Sequence, residues 1–105
     1  MSVVYVAGPM TGLPDFNYPA FREAEVALRV YGHEVLNPIE AENWNATGKP
    51  MPWGWYMRHA IRMVLRAEGI ALLPGWERSR GARLEWQIGS ELGLDIRDFA
   101  DWAVA

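Results

Sequence analysis

The residues Val3-Val4-Tyr5-Val6-Ala7-Gly8-Pro9 decide the fold class of this chain. Five consecutive apolar or aromatic side chains, rich in β-branched valine, predict a strand that is buried on both faces. Gly8-Pro9 then ends the strand, because proline has no N–H group with which to continue a hydrogen-bonded ladder. The same succession of an apolar run and a breaker recurs at 33–38 and at 70–75.

Helical periodicity separates these strands. Apolar residues recur at three- and four-residue spacing over 19–31, 55–67 and 79–92, and a glycine follows each stretch within two residues. Asp95-Ile96 is expected to start a short fourth strand. Alternating strands and helices are typical of right-handed βαβ units. The sequence therefore predicts a single domain over residues 1–105, a small Rossmann-like or flavodoxin-like α/β fold of three layers with a parallel sheet of three to five strands.

Composition excludes several classes of chemistry. The chain contains no cysteine, so thiolate metal sites, iron–sulfur clusters, disulfides and cysteine nucleophiles are ruled out. Only two histidines occur and the G-x-G-x-x-G motif is absent, so we expect neither a metal nor a dinucleotide cofactor. A formal charge of -3 argues against binding to duplex nucleic acid or to an anionic membrane. The N-terminal stretch lacks the pattern of a signal peptide, and a cytoplasmic location is expected.

The strand-ending residues indicate where a binding site should lie. In an open parallel sheet, ligands bind beyond the carboxyl ends of the strands, at the point where the connections diverge. In the predicted topology, Gly8-Pro9, Pro38 and Gly75 all occupy that edge. Any single strand-to-helix turn uses such residues for structure alone, but three of them at one edge favour a pocket.

Glu85 stands out in the third predicted helix. At 100° per residue it falls on the apolar side, which should face the sheet. Its neighbours on that side are Ala82, Ile88, Gly89 and Leu92. Because burying an unpaired carboxylate is costly, two interpretations remain. Glu85 forms an ion pair with Arg58 or Arg62, or it is a desolvated carboxylate that performs acid–base or nucleophilic chemistry.

Four segments together resemble the nucleoside 2-deoxyribosyltransferase superfamily. They are Tyr5-Val6-Ala7-Gly8-Pro9-Met10, Asn37-Pro38, Leu73-Pro74-Gly75-Trp76-Glu77 and Ser79-Arg80-Gly81-Ala82-Arg83-Leu84-Glu85. The likeness is greatest to a small bacterial and phage branch, and it extends to the 2′-deoxynucleoside 5′-phosphate N-hydrolases of the same superfamily. It covers nearly the whole chain, and the segment that ends at Glu85 is specific in combination.

The resemblance implies roles for individual residues. Glu85 matches the nucleophilic glutamate that attacks the anomeric carbon of a deoxyribose, and Tyr5 matches the first-strand tyrosine that lies close to it. A carboxylate can stabilise or trap the oxocarbenium-like state of such a reaction, as in retaining glycosidases. Ser79 resembles the serine by which the nucleotide hydrolases hold a 5′-phosphate at a helix N-terminus. The expected substrate-binding residues are Gly8, Pro9, Met10, Pro38, Gly75, Trp76, Ser79 and Gly81.

One position departs from the superfamily pattern. Active members carry an aspartate on the second helix where Ala60 stands here, and alanine cannot donate a proton to a leaving base. Two functions therefore stay open. One is cleavage or transfer at the N-glycosidic bond of a 2′-deoxynucleotide or nucleoside, and the other is a non-catalytic nucleotide-binding module. A third hypothesis is a structural or partner-binding protein that uses its tryptophans for contacts with a partner.

The chain is also rich in tryptophan and arginine. Six tryptophans and nine arginines occur among 105 residues, and both side chains favour flat, stacked contacts. Trp76 is expected at the rim of the pocket. Trp53 and Trp55 are expected at a subunit interface, since members of the superfamily form dimers or larger homo-oligomers. Stacking on single-stranded nucleic acid is a further use of such residues, which the acidic total and the single lysine disfavour.

Overall fold

The computed structural model describes residues 2–104. Met1 and Ala105, the ends of the predicted domain, lie outside the described residues. Strands and α-helices alternate along the described chain as β1 (Val3–Ala7), α1 (Tyr18–Val30), β2 (Glu34–Leu36), α2 (Trp53–Arg66), β3 (Gly69–Leu72), α3 (Arg80–Glu91), β4 (Asp95–Asp98) and α4 (Phe99–Trp102). Short 3₁₀ segments lie at Pro14–Asn17, Pro38–Trp44 and Trp76–Arg78.

The strands form one parallel sheet in the order β2-β1-β3-β4. In its centre, Tyr5 of β1 lies opposite Leu36 of β2 and Ile70 of β3. The connection from β1 runs to one edge of the sheet and the connection from β3 runs to the other. The crevice beyond the carboxyl ends of β1 and β3 is therefore the switch point at which such folds bind ligands. The predicted Rossmann-like or flavodoxin-like α/β architecture is confirmed.

Alternating side chains along β1 divide the interior into two cores. Tyr5 and Ala7 face α2 and α3 and belong to a buried cluster with Val64 and Ala82. The opposite face of the sheet packs against α1 and α4. Its buried residues are Val4, Val6, Phe21, Ala24, Leu28, Val35, Ala71, Leu73 and Trp102. The sheet is thus covered on both sides, which explains why β1 and β3 are apolar throughout.

Several apolar residues at helix ends are more exposed than the sequence-based expectations imply. Tyr31, Leu65 and Leu92 are 43%, 60% and 51% exposed. Leu65 lies in the last turn of α2, whereas Tyr31 and Leu92 directly follow the last residues of α1 and α3. Met63, which the periodicity leaves out, is buried in α2. The tail beyond β4 forms the short helix α4, and the indole Nε1 of Trp102 donates a hydrogen bond to the carbonyl of Ile70 at 2.9 Å.

The described helices are short. Within residues 2–104, none combines the length and the apolar composition needed to cross a lipid bilayer.

Candidate active site

Tyr5 and Glu85 form a buried pair between the sheet and α3. The hydroxyl of Tyr5 donates a hydrogen bond to Oε2 of Glu85 at 2.5 Å. Tyr5 is fully buried and Glu85 is only 5% exposed. β1 supplies the hydroxyl from the middle of the sheet, and α3 supplies the carboxylate between its first and second turns. A carboxylate held in this way is desolvated and fixed by one oxygen, which leaves the other oxygen for chemistry.

Glycines bring α3 close enough to the sheet and to α2 to bury this pair. A Cβ atom at Gly89 would lie 2.5 Å from Cδ1 of Ile70, and one at Gly81 would lie 3.1 Å from Sδ of Met57. Ala82, one turn before Glu85, is also buried. Small residues therefore let the helix backbone approach its neighbours, and Gly81 serves the contact between α2 and α3.

Burial dominates the electrostatics of the pair. Desolvation raises the pKa of Glu85 to about 8, although the hydrogen bond from Tyr5 opposes that rise. The pKa of Tyr5 is raised well above its ordinary value by burial, and then by the nearby Glu85. Among the described residues, the ion pairs join Arg29 to Glu25 and Arg97 to Asp95. The expected alternative of a Glu85 ion pair with Arg58 or Arg62 is therefore wrong, because a tyrosine hydroxyl takes that place.

The turns after β1 and β3 contact each other at the carboxyl edge. A Cβ atom at Gly8 would lie 2.7 Å from Cβ of Leu73, so glycine is required there for the packing of the two turns. Gly75 has a φ of +87°, and a Cβ atom on it would lie 3.4 Å from Cγ of Pro9. The structure thus brings Gly8, Pro9 and Gly75 together, as their positions at one edge predict. Their contact with a substrate stays a prediction.

The loop after β1 is held in an unusual conformation. Asp15, Phe16 and Asn17 have φ angles of 52°, 53° and 61°, in the left-handed region that side chains rarely adopt. The amide Nδ2 of Asn17 donates a hydrogen bond to the carbonyl of Pro9 at 3.0 Å. Met10, at the start of the loop, packs against the core that faces α1. Strained backbone of this kind concentrates at functional sites.

Asn37 anchors the turn after β2. Its Nδ2 donates hydrogen bonds to the carbonyl of Phe21 at 3.1 Å and to Oε1 of Glu25 at 3.0 Å. Its Oδ1 accepts one from the N–H of Ile39 at 3.3 Å. Pro38 follows directly and begins the 3₁₀ segment. The sequence marks Asn37 only as a strand-ending residue, and its Asx-Pro pattern is the local signal for the cap.

Ser79 and Trp76 lie at the start of α3. Ser79 is the N-cap residue, and its Oγ accepts a hydrogen bond from the N–H of Ala82 at 3.2 Å. The proton of the Ser79 hydroxyl is free to point elsewhere, so a phosphate at this helix N-terminus would find a donor there. Trp76 is half-buried and packs against the core that holds Tyr5. Its ring also stacks on Trp86, at a centroid distance of 5.9 Å and an angle of 21°.

Ala60 lies in the same core as Tyr5 and is only 5% exposed. Its neighbour His59 packs between two indoles, with centroid distances of 5.0 Å to Trp44 and 4.4 Å to Trp55. No group of three or more histidine, aspartate or glutamate side chains within residues 2–104 is arranged to hold a metal ion.

Comparisons with known proteins agree on the fold. A solved structure of the 2-deoxyribosyltransferase from the psychrotolerant bacterium Bacillus psychrosaccharolyticus, a biocatalyst for the synthesis of antiviral and antitumoral nucleosides, is similar to this chain with a TM-score of 0.68. The two sequences are 19% identical, and the match covers 90% of this chain and 69% of that chain. No curated protein sequence matches. A family model described as a domain of unknown function (DUF4406) matches residues 2–98, and the chain belongs to that family.

Proposed function

We propose that this protein cleaves, or transfers at, the N-glycosidic bond of a 2′-deoxynucleotide or 2′-deoxynucleoside, with Glu85 as the nucleophile and Tyr5 in support. The observation that carries the proposal is the buried hydrogen bond between the Tyr5 hydroxyl and the Glu85 carboxylate. The fold shared with a 2-deoxyribosyltransferase supports it.

The proposed reaction has two steps. One oxygen of the ionised Glu85 carboxylate bonds to C1′ of the deoxyribose while the C1′–N bond breaks, and the bonding pair leaves with the base. The departing base takes up a proton from solvent water. Water or a second base then attacks C1′, the bond from C1′ to the carboxylate oxygen breaks, and the attacking group loses its proton to solvent. Tyr5 holds Oε2 throughout, so that the remaining oxygen is oriented for attack.

Protonation of Glu85 controls this reaction. With a pKa of about 8, the carboxyl group is mostly protonated at neutral pH and becomes ionised above pH 8. Only the ionised form attacks C1′, so the rate of base release should rise with pH and level off above pH 8. Desolvation also makes the ionised form more reactive than an exposed glutamate.

Ser79 favours a nucleotide over a free nucleoside. A 5′-phosphate placed at the N-terminus of α3 would accept the Ser79 hydroxyl proton and would benefit from the helix dipole. In the proposed complex the sugar lies between Ser79, the N-cap residue of α3, and Glu85 within that helix.

A second candidate function rests on Ala60. The buried methyl group at this position offers no proton to a leaving base, and general acids contribute roughly 10²–10⁴-fold to such rates. A nucleotide-binding module that no longer turns over its ligand is consistent with that side chain.

One experiment separates the two functions. The protein is incubated with deoxynucleoside 5′-monophosphates and deoxynucleosides at pH 8.5, and free base is measured by chromatography. We expect base release that falls by roughly 10³-fold or more in Glu85→Gln. The matched control Glu91→Gln, an exposed carboxylate on the same helix, should keep the parent rate.

The remaining outcomes are equally specific. Base release that persists in Glu85→Gln would contradict the nucleophile. A rise in Tm with nucleotide, without any base release, would establish the binding module in place of the enzyme. With a slowly released 2′-fluoro substrate, the intact mass of the parent protein should increase by one glycosyl unit, and that of Glu85→Gln should not.

A further inference from the structure

A cleft that shares only Trp76 with the predicted substrate-binding residues accounts for half of the tryptophans. It has a volume of about 660 Å³ and lies along the outer side of α3 and the start of α2. Its lining residues include Trp53, Trp76, Trp86, Arg80, Arg83 and the acidic Glu77. We call it the tryptophan cleft. Of the described residues, neither Tyr5 nor Glu85 lines it, because Glu85 points from the opposite side of α3 into the core.

The indoles of the tryptophan cleft are arranged as a stacking surface. Trp76 and Trp86 stack with their planes 21° apart, and the guanidinium of Arg80 lies 3.8 Å from the centroid of the Trp53 ring. Trp53 is 40% exposed and Trp86 is 41% exposed. Exposed indoles cost solvation free energy in a monomer, and they bind flat rings well because each offers a large, rigid π face.

The charged residues that line the tryptophan cleft are two arginines, Arg80 and Arg83, and one glutamate, Glu77, so its lining has a net positive charge. Residues 53–83 carry six arginines against two glutamates, in a chain whose formal charge is -3. Neither Arg80 nor Arg83 is in an ion pair within residues 2–104, and Nη1 of Arg83 donates a hydrogen bond only to the carbonyl of Glu77, at 3.1 Å. The negative net charge of the whole chain disfavours binding to a polyanion. Residues 53–83, which include the arginines of the cleft, are nevertheless basic.

A neighbouring groove extends this region along α2. It has a volume of about 300 Å³ and is lined by Gly54, Met57, Arg58, Ile61 and Arg62. Trp53 of the tryptophan cleft and Gly54 of the groove are consecutive residues. Guanidinium groups thus line both the tryptophan cleft and the neighbouring groove.

We propose that the tryptophan cleft and the adjoining groove bind single-stranded nucleic acid. Unpaired bases would stack on Trp53 and Trp86, and arginines would contact the phosphates between them. A duplex does not fit this chemistry, because its bases are already stacked and paired. In a symmetric interface between two copies of the chain, this arginine-bearing surface would face the same surface of the other copy, and like charges would repel.

The test measures the fluorescence anisotropy of a labelled 12-nucleotide oligothymidylate. We expect binding at 50 mM salt that weakens about 7- to 50-fold at 200 mM, as contacts to two to four phosphates would give. Trp86→Ala should weaken binding at least fivefold, as the loss of one stacked base would. Arg83→Gln should weaken binding and reduce its salt dependence.

Controls keep this proposal separate from the proposed function. Trp44→Ala and Arg22→Gln remove an exposed tryptophan and an exposed arginine outside the cleft, and both should bind like the parent. Glu85→Gln should bind the oligonucleotide with unchanged affinity. A failure of base release would then leave this proposal standing, and a failure of oligonucleotide binding would leave the enzyme proposal standing.

Several results would overturn the inference. The first is absence of binding at 50 mM salt, and the second is binding that neither Trp86→Ala nor Arg83→Gln weakens. Equal affinity for an oligoglutamate of the same length would show that charge alone is recognised. If the parent forms a dimer that Trp86→Ala dissociates, the cleft is an interface between copies of this chain.

Discussion

The Tyr5 hydroxyl and the Glu85 carboxylate are hydrogen-bonded across 80 residues of sequence, and the carboxylate is removed from water to form that bond. Folding therefore raises the pKa of Glu85 from 4.5 to about 8. Because of this linkage, the protonation state of Glu85 affects the free energy of unfolding of the protein.

Glu85 should make the protein less stable as the pH rises. Between pH 4.5 and 8 the unfolded chain has lost this proton and the folded chain keeps it, so the free energy of unfolding falls with pH by up to about 5 kcal/mol and is flat above pH 8. Glu85→Gln removes the titration. In urea unfolding, the variant should match the parent at pH 5 and exceed its stability at pH 9. Glu91→Gln, the exposed control, should show no such gain, and a constant difference between parent and Glu85→Gln would contradict the buried carboxylate.

Tyr5→Phe should raise the pKa of Glu85 further. The Tyr5 hydrogen bond lowers the pKa of Glu85 and so favours the ionised form, and phenylalanine removes the donor with little change in volume. The titration midpoint of the Glu85 carboxyl carbon, followed by ¹³C NMR, should move above 8, and base release at pH 7 should fall. Tyr56→Phe, which removes a hydroxyl from a tyrosine outside the pair, serves as the control. An unchanged midpoint in Tyr5→Phe would show that the hydrogen bond does not tune the acid.

Ala60→Asp should restore a proton donor. If the missing general acid limits the reaction, base release should rise roughly 10²-fold or more. Ala60 is buried, so the variant should also lose about 1–3 kcal/mol of stability. Ala60→Asn has the same size without the acid and should show only the stability loss. Equal rates in these two folded variants would exclude position 60 as the place of the acid.

Two substitutions at Ser79 separate helix capping from phosphate binding. Ser79→Ala removes the cap and should cost about 1 kcal/mol of stability. Ser79→Asp keeps a capping oxygen but places a negative charge where the phosphate would bind. We expect Ser79→Asp to fold with nearly parent stability and to raise KM for monophosphates while sparing nucleosides. Equal effects on both substrate classes would place the phosphate elsewhere.

Gly89→Ala should destabilise the fold by about 1–3 kcal/mol, because the new methyl group would lie 2.5 Å from Cδ1 of Ile70. Gly54, a helical glycine with no atom within 4 Å of its hypothetical Cβ, is the control. Gly54→Ala should stabilise by about 0.5–1 kcal/mol through helix propensity. Thermal unfolding measures both, and a neutral Gly89→Ala would mean that α3 does not depend on this close approach.

The sequence predicted the fold because the period of its apolar residues is a local property. The sequence also predicted that Glu85 is buried, because the helical wheel places that residue on the side of α3 that faces the sheet. The contacts of a helix end are not a local property of the sequence, so the exposure of Leu92 and Leu65 could not be anticipated. Helix α4 was missed because four residues are too few to show a period.

The partner of Glu85 could not be derived from spacing. For a buried carboxylate, an arginine on the adjoining helix is the partner that the sequence predicts, and only the superfamily resemblance indicates Tyr5. Similarly, Trp86 looks like an ordinary exposed residue in α3 until the turn after β3 brings Trp76 against it. Contacts between distant segments depend on the tertiary arrangement, which no local pattern encodes.

The central position of β1 has a consequence for synthesis of the protein in the cell. β1 is translated long before β3, its partner in the sheet. The last residue pair between the two strands is Ala7 and Leu72. Translation proceeds at roughly 5–20 residues per second, so about 3–13 seconds pass between the synthesis of Ala7 and that of Leu72. During that interval the unpaired N–H and C=O groups along one edge of β1 are open to other nascent chains. Conditions that slow elongation should therefore increase aggregation of newly made protein, while the completed fold covers the same edge.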